Sequence, residues 1–349
     1  MFLTWKERIE MKKNVSRILV ETAVKTTLKN MKNDPERGVR NLVDIALQCS
    51  EGRFQRHFFS TAQTMLQNEN SAYYRLIRDI VAHTDINHLY TFGINLGYNA
   101  CTVGAQQIRE NEKKLQCNIP WTIAIQINNE HFSDLLPQYQ NVIETGENLG
   151  IFSWMLFTDN DPYTIVTLAE NYPDNVFFLF CEASKLSIDF LDRISHLYNL
   201  MLVIRYDETI APLCKDLQNR GLLYSVWYLY GQKDTETILN GDLFYCTQEL
   251  SPVFTALLPS PNCPDVIQQL VHQAVEQARS RQVYHTIPWD MQGDNQIIDS
   301  IISGDPCSAC FNQNGYLCNW NGQIEKKNYN LFHDSITCIF KTAFPKNPV

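Results

Sequence analysis

A chain of 349 residues with 44% hydrophobic and 11% aromatic residues has enough apolar material for one large domain or two, which excludes intrinsic disorder. Its formal net charge of −9 argues against nucleic acid as the main partner, because neutralising phosphates requires clustered lysines and arginines. No run of about 18 uncharged apolar residues is available to cross a membrane, and charges interrupt the first twenty residues too often for a secretory signal. We therefore expect a cytoplasmic protein in which the eleven cysteines are reduced.

The first 86 residues are predicted to be helical. The segment 33–36 (NDPE) combines a capping side chain, a proline where no N–H is needed and an acid near the positive end of a helix dipole. Apolar residues then recur at helical spacing over 39–47, and the same pattern over 54–66 and 73–81 predicts two further helices. This part of the chain is therefore expected to form a helical cap or small domain.

From residue 121 onward, short apolar runs alternate with stretches long enough for crossover helices. Near-continuous apolarity is typical of parallel strands that are covered on both faces. The predicted strands are 121–127, 152–158, 176–181, 200–206, 222–230 and 243–247. A long helix is predicted over 264–282, where Pro264-Asp265 opens it. The repetition predicts an α/β fold, either a six-stranded (β/α) barrel or a doubly wound sheet.

The tail from about residue 284 is rich in loops and carries four cysteines. Cys307, Cys310 and Cys318 have the spacing C-x2-C-x7-C, in which two near thiols can bind one metal ion and a turn at 314–315 precedes the third. With Cys338 as a fourth ligand, the set would suit zinc or an auxiliary iron–sulfur cluster. The alternative is a group of reduced thiols without metal.

The segments 33–46 and 90–127 resemble a subgroup of radical S-adenosylmethionine (SAM) proteins, in which a helical region leads through a CNIPW segment into the first barrel strand. The stretch 304–320 (GDPCSACFNQNGYLCNW) is similar to a twitch or SPASM-type cysteine extension. The resemblance extends from about residue 30 to 335, and it implies a partial (β/α)6 barrel of the TIM type. The segments it implies are a helical region over 1–86, a barrel over 87–283 and an extension over 284–349.

The chain departs from this family at its signature motif. Radical SAM enzymes place C-x3-C-x2-C after the first barrel strand, where three thiolates hold a [4Fe–4S] cluster. Here the corresponding residues, 128–134, contain no cysteine, and none occurs between Cys117 and Cys181. His131 alone cannot hold such a cluster, so the standard cluster is not expected. That expectation fails if the fold brings three thiolates together at the mouth of the barrel from distant positions, Cys101 and Cys181 among them.

The second family motif, Gly-Gly-Glu-Pro after the second strand, binds the amino group of SAM. Its position here is occupied by Asp159, Asn160, Asp161 and a proline, directly after Thr158. Asp161 could replace the glutamate, but the loss of both glycines removes a backbone that a ligand can approach closely, which argues against SAM. The alternative is that these residues turn the chain and begin a helix.

Charged residues are expected where the predicted strands end. Glu182 closes the third strand, Arg205 and Asp207 close the fourth, and Glu249 follows the sixth. Because barrels place their sites at the carboxyl ends of the strands, these groups could bind a polar ligand or transfer protons. Loop ends are polar in most proteins, which is the simpler explanation.

Three functions are compatible with these patterns. The first is a catalytically degenerate radical-SAM-like protein that binds a small ligand or a protein partner, with no role in nucleic-acid or membrane binding. The second is an unusual SAM- or Fe–S-dependent enzyme that uses Cys307, Cys310 and Cys318. The third is an ordinary barrel enzyme that uses the carboxylates Glu182, Asp207 and Glu249.

Overall fold

The computed structural model describes residues 5–346 except 49, 51, 321, 323 and 325–328, with the side chains of the first helix described from Arg17 onward. Among the described residues, six α-helices come first, and a π-helix at Asn95–Gly104 joins the last two of them. These α-helices are Trp5–Met31 (α1), Pro35–Gln48 (α2), Arg53–Met65 (α3), Tyr73–His83 (α4), Ile86–Ile94 (α5) and Ala105–Leu115 (α6).

The predicted helix start at 33–36 is confirmed. Helix α2 begins at Pro35, and the Asp34 carboxylate accepts a hydrogen bond from the Arg37 N–H at 3.0 Å. Gly38 then allows α2 to pack closely against Met31 of α1, because an added Cβ would lie 2.1 Å from the Met31 Cγ. Asp34 and Pro35 therefore fix where α2 begins, and Gly38 fixes how closely α2 packs against α1.

A nine-stranded sheet follows, curled into a half-barrel. Its order is β7-β6-β5-β4-β3-β2-β1-β8-β9, and every neighbouring pair is parallel except β8–β9. The strands are Thr122–Gln126 (β1), Ser153–Phe157 (β2), Val176–Cys181 (β3), Leu200–Arg205 (β4), Tyr224–Tyr230 (β5), Phe254–Pro259 (β6), Ile287–Asp290 (β7), Ala309–Phe311 (β8) and Leu317–Cys318 (β9). The predicted fold class, an α/β partial barrel, is confirmed.

Helices connect the parallel strands, as the crossover geometry requires. They are Phe132–Leu149 (α7), Val166–Asn171 (α8), Ile188–Ile194 (α9), Ala211–Asn219 (α10), Thr235–Leu239 (α11), Asp242–Gln248 (α12), Asp265–Arg281 (α13) and Met291–Ser303 (α14), with Ile336–Ala343 (α15) near the end of the chain. Short 3-10 turns occupy Ala183–Lys185 and Gln232–Asp234. In the part of the chain that the structure describes, no helix combines the length and apolarity needed to span a bilayer.

Five of the six predicted strands are found within two residues of their expected bounds, but the sixth prediction is wrong. Residues 243–247 lie in α12, and the sixth strand is β6, further along the chain. The buried residues of the run are Leu243, Phe244 and Thr247. This i, i+1, i+4 spacing lies on one face of a helix, and a five-residue apolar run is too short for its composition alone to reveal the period.

Helix α5 and the π-helix cover the amino ends of strands β3 and β4. The His88 Nε2 atom of α5 lies 3.1 Å from the Leu200 carbonyl oxygen, and the Asn95 amide donates to the carbonyl of Asn175, just before β3. Phe92 of α5 also packs edge-on against Phe178, with ring centroids 5.4 Å apart. Because the strands are parallel, the loops at their carboxyl ends are left at the opposite end of the half-barrel.

The last 66 residues also add to the sheet. Strand β7 pairs with β6, and β8 pairs with β1 on the far side of the sheet. Helix α14 connects these two strands, and its buried face includes Met291 and Ile302, which belong to the main core. Strands from the expected extension therefore form both edges of the sheet, with β7 at one edge and β8 and β9 at the other.

Candidate functional site

The loop after β1 is held by its own polar groups. The Asn128 N–H donates to the Tyr139 hydroxyl at 3.1 Å, and the Asn128 side-chain oxygen accepts from the His131 N–H at 3.1 Å. Asn129 extends from the same loop toward the end of β2. This is the position at which the resembled family places three thiolates, and here amides form a hydrogen-bonded turn.

Thr158 connects the loop after β1 to the loop after β2. Its hydroxyl oxygen lies 2.9 Å from the Asn129 side-chain nitrogen, from which it accepts, and 3.2 Å from the backbone N–H of Asn160. Its proton can go to the Asn129 side-chain oxygen at 3.1 Å or to the Asn160 carbonyl at 3.2 Å. Only 4% of Thr158 is exposed, so this expected ligand residue is engaged within the protein.

The three residues after Thr158 are exposed. The Asp161 carboxylate accepts a hydrogen bond from the Tyr163 N–H at 2.9 Å, which forms a tight turn before α8. Asp159 and Asn160 extend from the same turn. One oxygen of the Asp161 carboxylate therefore holds the chain in a turn, as the turn-forming alternative predicts, and a ligand role for these residues stays a prediction.

Cys101 and Cys181 do not supply the thiolates that are missing at this end of the half-barrel. Cys181 ends β3 on the face of the sheet opposite Phe180, and burial raises the pKa of its thiol to about 12. Cys101 lies in the π-helix, at the amino ends of the strands. Among the described residues, no three His, Cys, Asp or Glu side chains form a group that could hold a metal ion. The residues at this position therefore do not fit the [4Fe–4S] cluster of radical SAM enzymes.

An ion pair and three aromatic rings lie together at the carboxyl ends of β2, β3 and β4, beside the middle of β5. Arg205 donates to the Glu182 carboxylate at 2.9 Å, and its guanidinium lies 5.6 Å from the ring centroid of Trp227. Phe157 and Phe180 are stacked with centroids 4.2 Å apart, and the Trp227 ring meets both of them at steep angles. We call these five residues the mouth cluster.

The mouth cluster is only partly predictable from the sequence. The proximity of Glu182 and Arg205 follows from their positions at the ends of adjacent parallel strands, and the structure brings them together. Trp227, in contrast, is expected in the core. A signal for the aromatic part of the cluster is available in the sequence, since Phe157 and Phe180 are each the next-to-last residue of a predicted strand.

Asp207 does not join the mouth cluster. Its Oδ1 atom accepts from the Thr209 N–H at 2.7 Å and from the Thr209 hydroxyl at 2.5 Å, which stabilises the turn before α10. The expected position of Glu249 after a strand is wrong. Glu249 follows α12 and precedes β6, so it lies at the amino ends of the strands, whereas Glu182 lies at their carboxyl ends.

The loops around the mouth cluster carry an excess of acid. The segments 127–134, 158–165, 182–187 and 205–210 contain seven Asp or Glu residues against one Lys and one Arg, a formal charge of −5 without histidine. Most of the seven carboxylates are exposed. The negative electrostatic potential of these loops attracts cations and repels free anions such as phosphates.

The four cysteines of the tail occupy three different settings. Cys310 and Cys318 are opposite each other in the β8–β9 hairpin, and both are buried. Cys307 is buried with its sulfur 3.7 Å from the Ser303 hydroxyl, and Cys338 is exposed on α15. Two of the four expected ligands are therefore brought together.

The sequence matches no protein-family model and no curated protein. In fold, the chain is similar to SuiB of Streptococcus suis, a radical SAM enzyme, with a TM-score of 0.50 at 9% identity over 69% of this chain and 70% of SuiB. SuiB bound to its precursor peptide SuiA is similar at a TM-score of 0.50 and 8% identity, over 67% of this chain and 68% of that chain. The fold of this chain is therefore radical-SAM-like.

Proposed function

We propose that this chain is a binding protein on a radical-SAM-like half-barrel, and that it has lost the cluster chemistry of radical SAM enzymes. The observation that carries the proposal is the loop after β1, in which Asn128 and Asn129 occupy the place of the cluster ligands and are hydrogen-bonded to Tyr139 and Thr158. Three thiolates are needed to hold the cluster, and soft anionic sulfur is absent there.

The mouth cluster is the proposed binding site. Arg205 and Glu182 offer both signs of charge, and the Trp227 ring offers an apolar face beside them. The acidic loops favour a positively charged partner, because exposed carboxylates attract cations over about a Debye length, roughly 8–10 Å. SuiB binds a precursor peptide, which supports a peptide as the partner class here.

The loss of cluster chemistry is tested by oxygen-free purification and reconstitution with iron and sulfide. We expect no sulfide and no iron–sulfur absorption band in the reconstituted protein. A reconstituted [4Fe–4S] cluster that, once reduced, forms 5′-deoxyadenosine from SAM would overturn the proposal. Iron that is present in the wild type and absent from a Cys307→Ser, Cys310→Ser variant would instead support the second function, an enzyme that uses the tail cysteines.

The binding site is tested with short oligolysine peptides, and oligoglutamate serves as the negative probe. We expect oligolysine to change the tryptophan fluorescence, and we expect Glu182→Gln to weaken its binding several-fold. Glu110→Gln removes the same charge from an exposed position on α6 and is the matched control. Equal binding by the two variants would exclude the mouth cluster as the site.

A further inference from the structure

The hairpin β8–β9 fixes two cysteines opposite each other. Strand pairing places Cys310 against Cys318. The turn between them is well specified, because the Asn312 N–H donates to the Tyr316 carbonyl at 3.0 Å, the Gly315 N–H donates to the Asn312 carbonyl at 2.8 Å, and Gly315 has a φ of +80°. A shift of register would break these turn contacts.

This register is within the range that a disulfide requires. Directly opposite residues of antiparallel strands have Cα atoms about 4.5–5.5 Å apart, and their side chains extend from the same face. Disulfides form at Cα separations of about 4.4–6.8 Å. In the structure both residues are thiols, and the Cys318 sulfur lies 3.5 Å from the Cys310 carbonyl oxygen.

The other cysteines of the tail are less suited to pair with either of them. Cys307 precedes β8, and its sulfur contacts the Ser303 hydroxyl. Cys338 is exposed on α15, whereas Cys310 and Cys318 are only 6% and 7% exposed. Among the described strands, β8–β9 is the pairing that places two cysteines opposite each other.

We propose that Cys310 and Cys318 form a reversible disulfide, which acts as a redox-sensitive clasp on the hairpin beside β1. With glutathione disulfide as the oxidant, the two thiols lose two protons and two electrons and one S–S bond forms. The same protons and electrons reduce glutathione disulfide to two molecules of glutathione. The clasp closes the segment 310–318 and fixes β9 to β8, which itself pairs with Ala124 of β1.

Thiol–disulfide exchange begins with attack by a thiolate, so the oxidation is carried out in alkaline buffer as well as near neutral pH.

The test is oxidation of the full chain in glutathione redox buffers, followed by alkylation and intact-mass measurement. We expect the oxidised protein to be two hydrogens lighter before alkylation, to carry two fewer alkyl groups than the reduced protein after alkylation under denaturing conditions, and to retain no glutathione. Because no Lys or Arg lies between Cys307 and Cys318, chymotrypsin is used for mapping, since it cleaves after Phe311 and Tyr316. We expect one peptide ending at Phe311 to be linked to one that contains Cys318, and reduction should release them.

Two substitutions complete the test. Cys310→Ser should abolish the linkage, whereas the matched control Cys307→Ser should retain it. A bond that involves Cys307, a stable glutathione adduct on Cys310, or thiols that remain fully alkylatable in oxidising alkaline buffer would each overturn the proposal. The peptide that ends at Phe311 also contains Cys307, so the linked peptide is fragmented to identify which of Cys307 and Cys310 is bonded and which is alkylated. Because this measurement is made on the wild type, the result does not depend on whether a variant folds.

Discussion

Asn129 and Thr158 join the loops that follow β1 and β2 through a 2.9 Å hydrogen bond from the Asn129 side-chain amide to the Thr158 hydroxyl. In the family that the fold resembles, these two loops carry the cluster and SAM motifs. Here they are tied to each other by groups that would otherwise be available to a ligand. The hydrogen bond therefore holds together the two loops whose motifs differ from those of the family.

Thr158→Val should destabilise the protein by about 1–3 kcal/mol, because valine has nearly the same shape but leaves the polar groups around it unpaired. Thr158→Ser keeps the hydroxyl and should lose less. Urea unfolding measures both values. The control is Thr26→Val at an exposed position of α1, which should stay within about 0.5 kcal/mol of the wild type. If T158V behaves like T26V, Thr158 does not tie the loops together.

The strands with continuous apolar runs were predictable from the sequence because burial on both faces leaves a strong signal. Residues 176–181, all buried, are the clearest case and coincide with β3. Strand β7 (IPWD) was not predictable, since it is short, contains proline and ends on a charge. Its assignment depends on pairing with β6, a long-range contact that local patterns do not encode.

The candidate site was predictable in part, for a related reason. The ends of parallel strands meet at one edge of a sheet, so Glu182 and Arg205 were expected together and form an ion pair. The pairing of Asn129 with Thr158 could not be predicted, because side-chain amides and hydroxyls have many possible partners in loops.

Replacing two helical glycines by alanine should change the free energy of unfolding in opposite directions. Gly146 of α7 faces Trp154, and an added Cβ would lie 2.6 Å from the indole ring. Gly146→Ala should therefore destabilise the protein by about 1–3 kcal/mol through overpacking. Gly93 of α5 is exposed with no atom within 4 Å of an added Cβ, so Gly93→Ala should stabilise it by about 0.5–1 kcal/mol. Thermal or urea unfolding measures both signs, and a gain for G146A would refute the predicted contact.

His272 links α13 to the end of β7. Its Nδ1 atom lies 2.7 Å from the carboxylate of Asp290, and this hydrogen bond raises the pKa of His272 above 6.5. The stabilisation is therefore complete below about pH 6.5, where both the folded and unfolded states bind the proton, and it is lost as pH rises through the folded pKa.

His272→Gln should reduce the free energy of unfolding by about 1–3 kcal/mol near pH 5.5, as expected for a hydrogen bond between charged groups. The difference from the wild type should shrink above neutral pH. Chemical denaturation over this range measures the trend. A difference that is the same at every pH would show that His272 acts through packing alone.

Asp299 of α14 is a buried acid next to the start of β1. One of its oxygens accepts from the Trp121 N–H at 2.9 Å, and only 1% of the residue is exposed. Burial raises the pKa of Asp299 to about 8, so the carboxyl is protonated in the folded protein at neutral pH. The unfolded chain releases this proton above about pH 4, so stability is lost as pH rises from about 4 to about 8.

Asp299→Asn should remove this dependence while keeping an oxygen for the Trp121 N–H. In that window the wild type should lose about 1.4 kcal/mol per pH unit relative to D299N, and the variant should gain the advantage in alkaline buffer. Asp305→Asn makes the same replacement at an exposed position six residues later and is the matched control for the loss of one carboxyl group. Urea unfolding of the three proteins at matched pH measures the slopes. Parallel profiles for the wild type and D299N would contradict the prediction, because they would mean that Asp299 is ionised in the folded protein. A buried carboxylate would then need a cation beside it, and the described residues do not supply one.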